Sequence, residues 1–135
     1  MLKKIWVGIL LIFLINLPGL AAGQDVPSGK WWYNQKVVNN LNLTQKEIRQ
    51  LDQLYVDSHR KLIKLKNAVE REQFELDTLL GKKKVDDGKV RKQFEQLESA
   101  RTDLANERLG FVIRVREIIG AERFQQLKTS YKKWR

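Results

Sequence analysis

The sequence predicts an all-α protein built around a long antiparallel helical hairpin with short flanking helices. Apolar residues recur at alternating steps of three and four along two long stretches. A single break rich in glycine, lysine and aspartate separates them, and no strand-like alternation occurs anywhere.

The chain begins with Lys3 and Lys4, continues through an apolar run from Ile5 to Leu17, and then reads Pro18-Gly-Leu-Ala-Ala-Gly23. A basic start, a 13-residue apolar run and small residues at Ala21 and Gly23 form the pattern of a secretory signal peptide over residues 1–23. Cleavage after Ala22 or Gly23 is expected. A retained inner-membrane anchor is the rival reading, but the run is shorter than the ~20 residues of a spanning helix, and Asn16 and Pro18 close it. Export to the periplasm is therefore expected. Removing residues 1–23 takes two lysines and no acid, so the formal charge falls from +10 to +8. Acidic protein or an anionic membrane surface suits such a balance, and export removes nucleic acid from consideration. With no cysteine, stability must come from packing or from a partner subunit.

Residues 24–43 form an N-terminal arm with room for a short helix. Its first part, QDVPSGKWWYN, lacks periodicity and reads as mobile. Trp31, Trp32 and Tyr33 need somewhere to pack, at the hairpin end or on a partner subunit, or else to serve in binding a client.

The hairpin domain covers residues 44–134. Its first long helix, 44–80, has a seam of Ile48, Leu51, Tyr55, Leu62, Leu65, Val69, Leu76 and Leu79, with Ser58 and Glu72 in the same frame. Leu54, Ile63, Phe74 and Leu80 widen the stripe. The break is GKKKVDDGK: Gly81 suits a left-handed C-cap, the lysines sit near the negative end of the helix dipole, and Asp86 or Asp87 can cap the next helix. The second long helix, 87–119, has a seam of Val90, Phe94, Leu97, Leu104, Phe111, Val115 and Ile118, with Arg101 and Arg108 at frame positions between them. After Gly120 a last helix, 121–134, carries Phe124, Leu127 and Tyr131 on one side. The polar seam positions leave a lone hairpin under-packed, so an intertwined or cradle-like homodimer is expected.

The stretch Leu41-Asn-Leu-Thr-Gln-Lys-Glu-Ile-Arg-Gln-Leu51 starts the first long helix as a capping box, Thr44 paired with Glu47, with Leu43 stapling onto Ile48. Leu43-Thr44-Gln45-Lys46-Glu47 also resembles the LTxxQ motif of the Spy/CpxP family of periplasmic stress proteins, with Glu47 at the final Gln position. The family carries a second copy near the last helix. Ile119-Gly120-Ala121-Glu122-Arg123 lies in the matching place but lacks both Thr and Gln. The resemblance covers roughly residues 35–134. It implies a small, exported helical hairpin acting in one of three ways: as an ATP-independent chaperone, as a ligand of an envelope-stress sensor kinase, or as a periplasmic metal sensor or resistance protein.

The residues themselves favour binding protein over chemistry. No cysteine, second histidine or glycine-rich phosphate loop is present, so neither an enzyme nor a cofactor is expected. For metal, His59 is the one weak candidate, since Met1 leaves with the signal. The candidate partner-binding residues are Arg60, Lys64 and Arg71 on the first long helix, Phe94, Arg101 and Arg108 on the second, and Trp31 and Trp32 in the arm. They suit a basic, partly apolar surface for unfolded or acidic polypeptide, though arginine stems covering the core would look the same. A sensor or regulatory domain is the second reading, and association with an anionic membrane the third.

Overall fold

The computed structural model describes residues 29–133. The signal-peptide reading of residues 1–23, the first residues of the arm and Trp134 lie outside the described residues. A 3-10 turn, Trp31–Tyr33, is followed by α1 (Gln35–Leu41), α2 (Gln45–Leu80), α3 (Asp87–Ile119) and α4 (Ala121–Lys133). The described residues are all-α, and the long α2 and α3 pack along each other as a helical hairpin.

Local chemistry sets each boundary. Asn34 caps α1 by accepting from the Lys36 amide at 3.0 Å, and α1 ends at Asn42 in the left-handed region at φ 50°, closed by a Leu43 amide bond to the Val38 carbonyl at 3.1 Å. Thr44 caps α2 through the full reciprocal box: its Oγ1 accepts from the Glu47 amide at 3.1 Å, and its own amide donates to Glu47 Oε2 at 2.9 Å. Buried Leu43 and half-buried Ile48 pack into the same cluster, as a hydrophobic staple requires. Gly81 ends α2 in the right-handed region at φ −77°, not as the expected left-handed cap, because its amide simply continues the helical ladder to the Asp77 carbonyl at 2.9 Å. Asp86 caps α3 by accepting from the Lys89 amide at 3.2 Å. Gly120 joins α3 to α4 at φ 82°, where a side chain would be strained.

The core is loaded at one end. Trp31, Trp32, Val37, Leu41, Leu43, Leu51, Val115, Ile119, Phe124 and Leu127 form one cluster, to which the turn, α1, both long helices and α4 contribute. Toward the tip only Ser58, Leu76, Leu97 and Leu104 are buried, and Leu62, Leu65 and Val69 are half-buried. At ~1.5 Å per residue α2 is about 54 Å long, so the tip loop stands far from this cluster.

The seam differs from the sequence reading on α3. Leu97, Leu104, Phe111, Val115 and Ile118 point inward as expected, but Phe94 is 45% exposed and Arg108 is exposed. Gln93, Ala100 and Glu107 are the half-buried positions instead. The reason is a polar pairing: Gln93 Nε2 donates to Glu72 Oε2 at 2.7 Å and to the Glu72 carbonyl at 3.1 Å. A carboxylate half-withdrawn from water needs such a donor, and phenylalanine cannot supply one.

Candidate functional site

The two motif-like segments meet. Arg123 Nη1 donates to Glu47 Oε2 at 3.0 Å and Nη2 to Oε1, so both carboxylate oxygens are engaged. The same guanidinium donates to the carbonyls of Ile119 at 2.7 Å, Leu41 at 3.3 Å and Asn42 at 3.4 Å. One side chain thus ties the ends of α1 and α3 to the starts of α2 and α4. Glu47 is held below the ordinary carboxylate range, first by these bonds from Arg123 and then by the Thr44 amide, against an opposing push from burial. The geometry explains the degenerate second copy. The fifth position of each segment, Glu47 and Arg123, forms one ion pair, and Gly120 occupies the threonine position at a positive φ that threonine rarely adopts.

A second polar knot holds the aromatic turn. Asp52 accepts from Trp32 Nε1 at 2.8 Å and from the Tyr33 hydroxyl at 2.7 Å, and Lys30 Nζ stands 3.8 Å away. Burial pushes the Asp52 carboxyl up, but the Trp32 and Tyr33 hydrogen bonds and the Lys30 charge outweigh it and leave it lowered. The Lys30 ammonium also sits 5.1 Å from the Tyr33 ring centre and 5.3 Å from that of Tyr55. Trp31 and Trp32 are 7% and 1% exposed, so their rings are spent on the end cluster.

His59, the weak metal candidate, is exposed and stacks on Tyr55 with ring centres 5.4 Å apart. Its neighbour Asp57 accepts from Gln53 at 3.1 and 3.2 Å. Among the described residues no three of His, Cys, Asp and Glu gather closely enough to hold a metal ion.

The remaining candidates fall on two separate surfaces. Arg101 donates to Glu98 at 2.6 Å and reaches across to Gln73 Oε1 at 3.2 Å, which puts Phe94, Arg101 and Arg108 on the Gln73 flank of the hairpin. Arg60, Lys64 and Arg71 instead turn to the outer side of α2. There they border Val56, Ile63 and Phe74, which are 37%, 48% and 68% exposed. Residues 7 and 18 apart return to within about 20° of one direction on a helix, so these three apolar side chains form a line. That line lies roughly half a turn from buried Ser58 and Leu76, facing directly away from α3. The sequence reading placed Ile63 and Phe74 in a widened core stripe. What would have found the outer line is the angular split of the α2 apolar residues into two rows, one of them aligned with arginines.

None of the described helices is long and apolar enough to cross a membrane. Neither the curated proteins nor the solved structures offer a significant match to the chain. A family match extends over residues 35–126, from the start of α1 into α4, and its description is heavy-metal resistance. With the hairpin, the LTQKE cap and its Arg123 partner all inside the match, the chain belongs to the heavy-metal resistance family of helical metal-resistance and stress proteins, related to the Spy/CpxP LTxxQ proteins.

Proposed function

We propose that the protein is an ATP-independent envelope-stress chaperone or adaptor that holds unfolded or acidic polypeptide on the outer face of α2. Members of the family are generally periplasmic, a compartment without ATP-driven folding machinery in which a passive holder is useful. The observation that carries the reading is the exposed line Val56, Ile63 and Phe74 bordered by Arg60, Lys64 and Arg71. It runs about 27 Å along the helix, long enough to engage an extended segment of some eight residues. Its cations draw in acidic chains from solution, and its apolar groups retain segments that have lost their own core. Arg71 approaches Glu72 at 3.5 Å, but with 68% of its side chain exposed that pair competes weakly with a client. Neither a nucleophile nor a cofactor enters this scheme.

Light scattering of an aggregating acidic client tests it. Equimolar protein suppresses the signal, Phe74→Ser together with Arg60→Gln and Arg71→Gln weakens the suppression, and added salt weakens it further. Several clients aggregating at an unchanged rate would refute the reading. The sensor or regulatory alternative predicts that same inert outcome together with binding to a membrane regulator.

A further inference from the structure

We infer that the hairpin tip is a docking surface for an anionic phospholipid bilayer. Leu80–Phe94 carry six cations, Lys82, Lys83, Lys84, Lys89, Arg91 and Lys92, against two carboxylates. Both carboxylates are engaged locally, Asp86 as the α3 cap and Asp87 with Arg91 at 2.8 Å. Among the described residues none of the five tip lysines has an ion-pair partner, and every residue from Gly81 to Lys89 is exposed. Set among the lysines are apolar side chains left half open to solvent: Leu80 is 52% exposed and Val85 50%. Phe94, on the same flank as Leu80, lies about 12 Å further back, since its neighbour Gln93 is level with Glu72.

Shape and charge choose the occupant. A tip formed by six loop residues between two helices is convex, so it cannot enclose a polypeptide, but it can press against a plane. Lysines around a small apolar point suit an anionic interface: the ammonium groups meet lipid phosphates, their methylene stems lie along the headgroups, and Leu80 and Val85 enter the acyl boundary by the ~5–10 Å typical of interfacial segments. Docked in this way, the rod stands off the bilayer and the outer face of α2 stays free. The inference concerns different residues from the client-binding face, so either can fail alone.

The chain has no cysteine, which makes single-site labelling clean. An environment-sensitive fluorophore on Val85→Cys is titrated with vesicles of phosphatidylglycerol in phosphatidylcholine, and with phosphatidylcholine alone. The expected result is a blue shift with the anionic vesicles only. The same fluorophore on Glu122→Cys, at the opposite end, stays unshifted. Lys82→Gln, Lys83→Gln and Lys84→Gln together raise the lipid needed for half-shift by on the order of 100-fold, the change corresponding to about 1 kcal/mol per lysine. Circular dichroism of that variant is unchanged, because the three side chains have no folded partner. Equal shifts at positions 85 and 122, or a titration indifferent to the lysines, would overturn the inference. So would loss of client protection in the lysine variant without any vesicle-induced shift in the parent, which assigns the tip to acidic polypeptide.

Discussion

Replacing Arg123 by glutamine and Glu47 by glutamine, singly and together, tests whether the two motif segments are energetically one unit. The ion pair is 28% exposed on the arginine side chain and 17% on the glutamate, between a surface pair worth ~0–1 kcal/mol and a buried pair whose rupture costs ~3–5 kcal/mol. Arg123→Gln also loses donors to the Leu41 and Asn42 carbonyls, so about 2 kcal/mol is expected. Glu47→Gln keeps an oxygen for the Thr44 amide and loses only the charge, at roughly 1 kcal/mol. Two glutamines can still hydrogen-bond to each other, so the double variant should be more stable than the sum of the singles by about 1 kcal/mol. Urea unfolding followed by far-UV circular dichroism reads all four corners, and Arg123→Gln alone should lower Tm by several degrees. If the single effects add to within ~0.5 kcal/mol, the two segments are not coupled and the reasoning is wrong.

Two other side chains, and Glu47 again, give further expected outcomes. Asp52→Ala strips Trp32 of its acceptor and should cost ~1–3 kcal/mol, with faster amide exchange over residues 31–41; unchanged exchange there would show that the aromatic turn is held otherwise. Glu47 and Asp52 both have lowered folded pKa values, so each contributes stability above its unfolded pKa of about 4 that is lost as pH falls through the folded value. Tm should therefore drop on acidification below about pH 4, less steeply in Arg123→Gln, and identical profiles would contradict this assignment. Ser58 is 2% exposed and its Oγ has no hydrogen-bond partner among the described residues, so Ser58→Ala should leave stability unchanged or raise it by up to ~1 kcal/mol; a clear loss in the urea midpoint would mean that the hydroxyl is satisfied.

The helices and most of their caps were legible because their causes are local: Thr44 with Glu47, Asp86 and Gly120 all act within a few residues of themselves. The buried row Leu97, Leu104 and Val115 was legible for the same reason, being a period of bulky aliphatics. Which flank joins that row was not. Choosing large side chains favours Phe94, whereas the hairpin selects Gln93 because Glu72, on the other helix, needs a donor. The contact between Glu47 and Arg123 was hidden likewise. Each residue departs from the family pattern alone, and only the closed hairpin makes the departures complementary. Ile63 and Phe74 of the outer line of α2 were counted as core, since a sequence period locates an apolar row without saying whether anything covers it.

The end-loaded core also orders the folding of the chain. Contacts near the tip join residues about twenty apart, as between Glu72 and Gln93, and close cheaply as soon as the loop turns. The best-packed region instead joins Leu41 to Arg123, 82 positions apart. The stable end is therefore the last to assemble: α2 and α3 can zip from the loop, but Leu51, Val115 and Phe124 have no common core until almost the whole chain is available. A ribosome or translocation channel holding the final helix would hold the protein open with it.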